Sequence, residues 1–403
     1  MNILGISGSL GWDGNIPYEL PEIGDLWVHG SGATLIMNGE VKNAICEERF
    51  SRIKYDGHYP KLAIQHILDF NKITKDDIDV VVYVGNVAYI CTALKRCGYL
   101  ETKLKEFFPN CEVRFVSHHV AHTSATYFTS GFDEANILSF DGAGDGELQP
   151  NGEYYIPHMK FSQGKGLTLT EIQSNYVNGP TPMYRGFGHY YTMYSHQVYI
   201  NKMHKDTKDT TVGNIVPITH MPAYMNPAND AINRETYPGK VMGLSAYGDY
   251  RNINLPDWYI IERDKQKYTE NKWEDCLAQL VNIHVPMFPN EEGRSLDPDD
   301  LAAWLQYQFE THLLNWLRSI PENIKSDNLC LGGGSALNIL TNSKIIEQGI
   351  YKNVHVNTAP NDDGLHFGAA LCVSAEQEGK VILPEDIGYL GITYTDQEIE
   401  AAL

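Results

Sequence analysis

The sequence predicts an α/β fold, and three observations lead there. Short apolar runs of strand length recur at residues 3–6, 33–37, 80–84, 137–140, 328–331 and 354–356. Segments with helical periodicity lie between them, at 60–70, 121–128, 301–317, 336–347 and 368–375. A strand ending in a polar, glycine-bearing turn occurs twice, after Phe140 and after Leu331. Strands interleaved with helices argue for sheets layered with helices.

The first strand run opens the chain. The runs 33–37 and 41–47 follow it in succession and are joined by Asn38-Gly39, a strong hairpin signal because both residues tolerate the left-handed turn conformation. Antiparallel strands first and βα units afterwards describe a ribonuclease-H-like half. Two stretches interrupt the rhythm. Residues 10–28, rich in Gly, Pro and acid, read as a loop inserted after the first strand, and 200–237 carry Asn, Thr, Pro and Lys without a sustained period. The expected organisation is a first half over 1–135, a second over 136–380, and the beginning of a further domain over 381–403.

Before the second insertion, aromatics stand at 187, 190, 191 and 194, the spacing of one helix face. Such stripes usually pack into a core, with an acceptor-pocket wall as the second reading, helped by Lys202, His204, Lys205 and Lys208.

Composition narrows the function classes. The chain has 403 residues, 42% hydrophobic and 20% charged, the proportions of an ordinary soluble protein. No apolar run reaches the ~18 residues of a membrane span, and the N-terminus lacks the basic flank of a signal peptide. The seven cysteines form no C-x-x-C pair, which favours a reducing compartment, so a cytoplasmic enzyme is expected. A formal net charge of −20 opposes extended nucleic-acid binding through a general basic field.

The chemistry-bearing residues cluster in turns. His118 and His122, in Ser117-His118-His119-Val120-Ala121-His122, are four apart and share a helix face, so they can ligate one metal. Two such histidines are as often ordinary core residues. A zinc-protease reading needs Glu at position 119, where this chain has His119. Asp141-Gly142-Ala143-Gly144-Asp145-Gly146 follows an apolar run and suits a phosphate or metal, although a tight turn would look the same. Gly332-Gly333-Gly334-Ser335-Ala336-Leu337-Asn338 repeats the arrangement and opens a helix whose N-terminus can face a phosphate or nucleoside. Asn361-Asp362-Asp363-Gly364 is a third acidic turn before a helix.

Seven motifs, taken in order, resemble one family. They are Leu4-Gly5-Ile6-Ser7, the run 47–54 (EERFSRIK), Ser117 to His122, Asp141-Gly142-Ala143-Gly144, the run 239–248 (GKVMGLSAYG), Gly332 to Asn338, and Asp362-Asp363-Gly364. Together they resemble the O-carbamoyltransferases of antibiotic and nodulation-factor biosynthesis. The resemblance implies an actin-like (ASKHA) pair of ribonuclease-H-like domains, related to the tRNA threonylcarbamoyl transferases. It implies a divalent metal, Fe2+ first with Zn2+ or Mn2+ as alternatives, on His118, His122, Asp141 and Asp362. It also implies ATP and carbamoyl phosphate as sources of carbamoyladenylate, and transfer of the carbamoyl group to a hydroxyl. Gly142, Gly144, Gly332, Gly333, Gly334 and Asn338 would hold the nucleotide. Arg52, Lys54 and Lys240 would meet the leaving phosphate, unless they are solvated surface residues.

The chain departs from that family twice. Its His-Asp-Ser becomes His29-Gly30-Ser31 here, so the base is open among His29, Asp13, Glu22 and Asp25. Family members also continue into a domain that makes carbamoyladenylate, so a separate activating domain is an expected partner. The acceptor would be a small hydroxyl compound or, as runner-up, a 5-hydroxymethylpyrimidine in DNA, and a homodimer is compatible with the sequence. The other classes in view are an actin-like kinase or phosphohydrolase, which would hold magnesium through carboxylates rather than histidines, and a non-catalytic nucleotide-binding scaffold.

Overall fold

The computed structural model describes residues 1–10, 29–85, 98–142, 144–148, 152, 154–155, 157–176, 187–188, 191–192, 195, 198, 202, 238–255, 296–391 and 394–403. Apart from Leu10 and Lys202, the two insertions expected from the sequence lie outside these residues, as do Asp13, Glu22, Asp25, His204, Lys205 and Lys208.

The first sheet contains β1 (Asn2–Ser7), β2 (Gly32–Met37), β3 (Glu40–Cys46), β4 (Val80–Val84) and β5 (Glu112–Phe115), in the order β3-β2-β1-β4-β5. β1, β2 and β3 form an antiparallel meander, and β4 and β5 run parallel to β1. The β2–β3 turn sits where Asn38 and Gly39 adopt φ of 52° and 77°, the left-handed pair that matches strand twist. β4 reads VVVYV with all five residues buried, because a central parallel strand is covered on both faces. The segments around it are α1 (Glu48–Ser51), α2 (Lys61–Asn71) and α3 (Tyr99–Phe107). Ala63, Ile64, Ile67 and Leu68 make one buried face of α2, and each aliphatic side chain so covered contributes roughly 1.5–3 kcal/mol.

The second sheet repeats the first. After α4 (His118–Phe128) come β6 (Glu134–Phe140), a small ribbon of β7 (Glu147–Leu148) and β8 (Tyr154–Tyr155), then β9 (Pro157–Lys165) and β10 (Thr168–Tyr176). They are followed by α5 (Pro298–Arg318), β11 (Asn328–Gly332), α6 (Ile339–Glu347), β12 (Asn353–Val356), α7 (Leu365–Glu378) and α8 (Asp396–Ala402). The order β10-β9-β6-β11-β12 has the directions of the first sheet, with β6 in the place of β1. Two sheets of one topology are the paired ribonuclease-H-like halves of an actin-like fold.

Between the sheets lie α4 and α7. α7 follows the second sheet in sequence but packs on β1, β2 and β4 of the first, while α4 packs on β6, β9 and β11. The two helices approach so closely that a Cβ on Gly368 would sit 1.9 Å from the Ala121 carbonyl oxygen. Residues 381–391 return to the first sheet and satisfy the edge of β3: Ile382 N–H donates to Gly39 O (2.7 Å), Val41 N–H to Ile382 O (3.0 Å) and Ala44 N–H to Leu390 O (2.9 Å). α8 is exposed along its whole length. Among the described residues no helix is long and apolar enough to cross a membrane.

Candidate metal centre

The cluster begins with the first turn of α4. Its N-cap, Ser117, is extended, and its hydroxyl donates to Glu147 Oε1 (2.5 Å) instead of capping the helix. The cap is supplied from elsewhere: Asp145 Oδ1 accepts from the His118 backbone N–H at 2.9 Å. Helical spacing then puts His118 and His122 on one face, their Nε2 atoms 3.1 Å apart. The ring of His118 is oriented through Nδ1, 3.1 Å from the Gly85 carbonyl, so Nε2 faces inward.

Two carboxylates complete the group. Asp141, at the end of β6, brings Oδ2 to 3.4 Å from His118 Nε2 and 3.0 Å from His122 Nε2. Asp362, in the 3-10 turn before α7, brings Oδ1 to 3.6 and 3.4 Å from the same atoms. All four ligand atoms lie within 4.8 Å of one another, and His118, His122 and Asp362 are buried. One ion with ligands about 2.1 Å away at tetrahedral angles would hold them roughly 3.4 Å apart. The donor set fits such an ion. Two imidazoles with two carboxylates and no thiolate suit iron, manganese or zinc.

Electrostatics point the same way. Burial works to lower both histidines, but the carboxylates outweigh it, so His118 is raised and His122 rises to about 9. Burial would raise Asp141, and the two imidazoles hold it well below the usual carboxylate range. The cavity attracts positive charge, a proton or a metal. The third histidine of the motif is different. His119 Nδ1 lies 2.7 Å from Ser139 Oγ and its Nε2 lies 3.1 Å from the Pro157 carbonyl, and burial keeps it neutral, well below the ordinary value. It pins α4 to the second sheet.

The remaining residues expected from the sequence divide. His29 stands at the cluster, with Nε2 3.6 Å from Asp362 Oδ2 and its ring edge-on to Tyr55. Arg52, Lys54 and Lys240 are exposed; Lys54 faces Glu48 at 3.6 Å and lies over the Tyr55 ring. Gly142 N–H donates to Asp141 Oδ1 (2.6 Å), and Gly144 backs onto the His119 ring. The second glycine run is used against protein: a Cβ on Gly332, Gly333 or Gly334 would meet His122 O (3.0 Å), Phe140 O (2.3 Å) or Asp141 Oδ1 (2.9 Å). Asn338 was expected at a nucleoside. Its amide caps α6 through Thr341 N–H (3.1 Å) and exchanges hydrogen bonds with Gln306, both at 3.0 Å, because the residue is buried against α5.

Other residues of the centre gave little sequence signal. Gly188, inside the aromatic segment, packs so tightly that a Cβ would lie 2.2 Å from Ser335 Oγ and 2.5 Å from Asp141 O. Phe187 and Tyr191 of that segment are core residues against Phe309, and positions 190 and 194 lie outside the described residues. Gly30 explains the altered His-Gly-Ser motif. Its φ is +66°, and a Cβ would sit 2.8 Å from the Asp362 carbonyl carbon, so this backbone leaves no room for an aspartate there.

The fold and site define an actin-like α/β protein with a buried His2Asp2 cluster where its two halves meet. The chain matches the model of the carbamoyltransferase N-terminus family over residues 80–371, and it belongs to that family. It is 26% identical to nodulation protein NolNO of Sinorhizobium fredii, over 93% of this chain and 50% of that protein. It is also 26% identical to the uncharacterized protein sll1178 of Synechocystis, over 94% of this chain and 61% of that one. The chain thus spans about half the length of NolNO. Among solved structures it is similar to full-length HypF in its phosphate- and nucleotide-bound form, with a TM-score of 0.49 and 14% identity over 88% of this chain and 46% of that one.

Proposed function

We propose that this chain carries the transfer centre of an O-carbamoyltransferase, moving a carbamoyl group from carbamoyladenylate to an acceptor hydroxyl. The observation that carries the reading is the His118–His122–Asp141–Asp362 cluster in a chain of the carbamoyltransferase N-terminus family. A divalent ion held there would supply Lewis acidity to the carbamoyl carbonyl.

The protein's own groups do the rest. The acceptor oxygen bonds to the carbamoyl carbon while the bond from that carbon to the adenylate phosphate oxygen breaks, and AMP leaves. The hydroxyl proton passes to Nε2 of His29, and the carboxylate of Asp362, 3.6 Å away, offsets the charge of the imidazolium formed. Gly142 N–H donates to Asp141 Oδ1, and Gly334 stands so close to that oxygen that a side chain there would crowd it. In this reading Arg52, Lys54 and Lys240, all exposed, meet the leaving phosphate. The acceptor in this reading is a small hydroxyl compound, since a net charge of −20 repels a polyanion.

The test supplies carbamoyladenylate directly to the purified, metal-analysed chain and follows AMP release with and without polyol acceptors. Metal bound in about equimolar amount and AMP release abolished by Asp141→Asn are expected. Metal-loaded protein that leaves carbamoyladenylate intact would sink the reading.

A further inference from the structure

His366, one helical turn beyond Asp362, is fully buried and touches none of the reacting groups described above. Its Nδ1 lies 2.7 Å from Thr34 Oγ1 on β2, and it stands in the first turn of α7, directly after the Asp362–Gly364 turn. Its Nε2 has no hydrogen-bond partner among the described residues. Burying a polar atom unpaired costs about 1–3 kcal/mol, so a leucine would suit the position better if packing were its only task.

The first sheet is shaped to receive this ring and its turn. A Cβ on Gly32 would sit 2.3 Å from His366 Nε2, one on Gly5 2.3 Å from the His366 carbonyl oxygen, and one on Gly30 2.8 Å from the Asp362 carbonyl carbon. Three positions without side chains on β1, β2 and the residues leading into β2 thus clear space for one segment, residues 362–366. We propose that His366 is a positioning residue for Asp362: its imidazole ties the first turn of α7, into which the Asp362–Gly364 turn leads, to Thr34 of the first sheet and so fixes where the carboxylate meets the two histidines of α4. The tie is needed because the other three ligands reach the centre on α4 and the second sheet, whereas the Asp362 turn lies between α4 and α7 and leads into α7, the helix that packs on the first sheet.

The inference rests on the metal reading of the cluster, and the test separates the two. Co2+ is titrated into the full-length apoprotein, with visible d–d absorption reporting coordination, for the wild type, His366→Ala, His366→Asn and Thr34→Val, and the melting temperature of each apoprotein is recorded. A wild type that binds no Co2+ removes the metal reading and this inference with it. Given wild-type binding, His366→Ala is expected to weaken Co2+ affinity at least about tenfold and to alter the spectrum, as loss of support behind a ligand does. His366→Asn, which keeps a donor near Nδ1, should restore most of the affinity. Thr34→Val, which removes only a hydroxyl and retains the fold, should weaken binding in the same direction. Affinity and spectrum unchanged in His366→Ala and Thr34→Val, with only the melting temperature lowered, would overturn the proposal in favour of a packing role. If His366→Ala fails to fold, Thr34→Val and His366→Asn decide on the same readouts.

Discussion

Three histidines fall within five residues, and their neighbours give them different work. His118 and His122 face two carboxylates, whereas His119 faces a serine hydroxyl and a backbone carbonyl. His118→Ala is therefore expected to empty the centre, with metal per chain falling below a tenth of wild type by elemental analysis and carbamoyl transfer lost with it. His119→Ala should keep the metal but lower stability by about 2–3 kcal/mol in urea unfolding, because Ser139 Oγ and the Pro157 carbonyl lose a buried partner. The sequence made the shared face of His118 and His122 legible through their i, i+4 spacing. It gave no means of seeing that position 119 points at β9, since residue 157 meets it only after the chain has folded. Asn338 shows the same limit: its motif gave no sign of the paired hydrogen bonds with Gln306 that hold it against α5.

Elements explain why the ligands converge. α4 is pressed between the second sheet and α7, and Gly368 of α7 lies directly against the Ala121 backbone of α4. Gly368→Val would force the helices apart, with an expected loss of about 1–3 kcal/mol or more for overpacking, read as a lower urea midpoint. Because the same contact fixes α4 relative to the Asp362 turn, metal affinity should fall with it. At this scale much was readable. The hairpin at Asn38-Gly39, the apolar β4 and the amphipathic α2 each carry their structure in local pattern. The long β9–β10 hairpin was not foreseen, since its polar residues are covered by neighbours distant in sequence: Lys160 is buried because Glu147 and Glu171 meet it from β7 and β10. The two glycine turns look like ligand loops in the sequence, and in the fold their missing side chains also let β6, β11 and α4 come together.

The whole molecule joins two sheets of one topology through α4 and α7, and its stability should depend on acid accordingly. His366 is pushed by burial down to about 3, so the unfolded chain takes up a proton that the folded one refuses. Stability from this group is full above the unfolded value of about 6.5 and falls as pH drops towards 3, by at most about 1.4 kcal/mol per unit. Urea unfolding of wild type and His366→Asn between pH 7 and 4.5 should show a steeper loss in the wild type; parallel curves would contradict it. Removing residues 381–403 should uncover the β3 edge and promote association, measurable by light scattering, because three backbone hydrogen bonds now close that edge. By itself the sequence determined the alternation of strands and helices, the shared face of His118 and His122, the acidic turns at Asp141 and Asp362, and the family pattern that orders them. All of these are local or short-range, set by backbone geometry and side-chain period. Only the tertiary structure decided that α7 crosses back to the first sheet, that His29 reaches Asp362, that Gly30 and Gly32 make room for the ligand turn, and which histidines meet carboxylates. Those outcomes depend on contacts between residues tens to hundreds of positions apart, and close packing of the two halves is what fixes them.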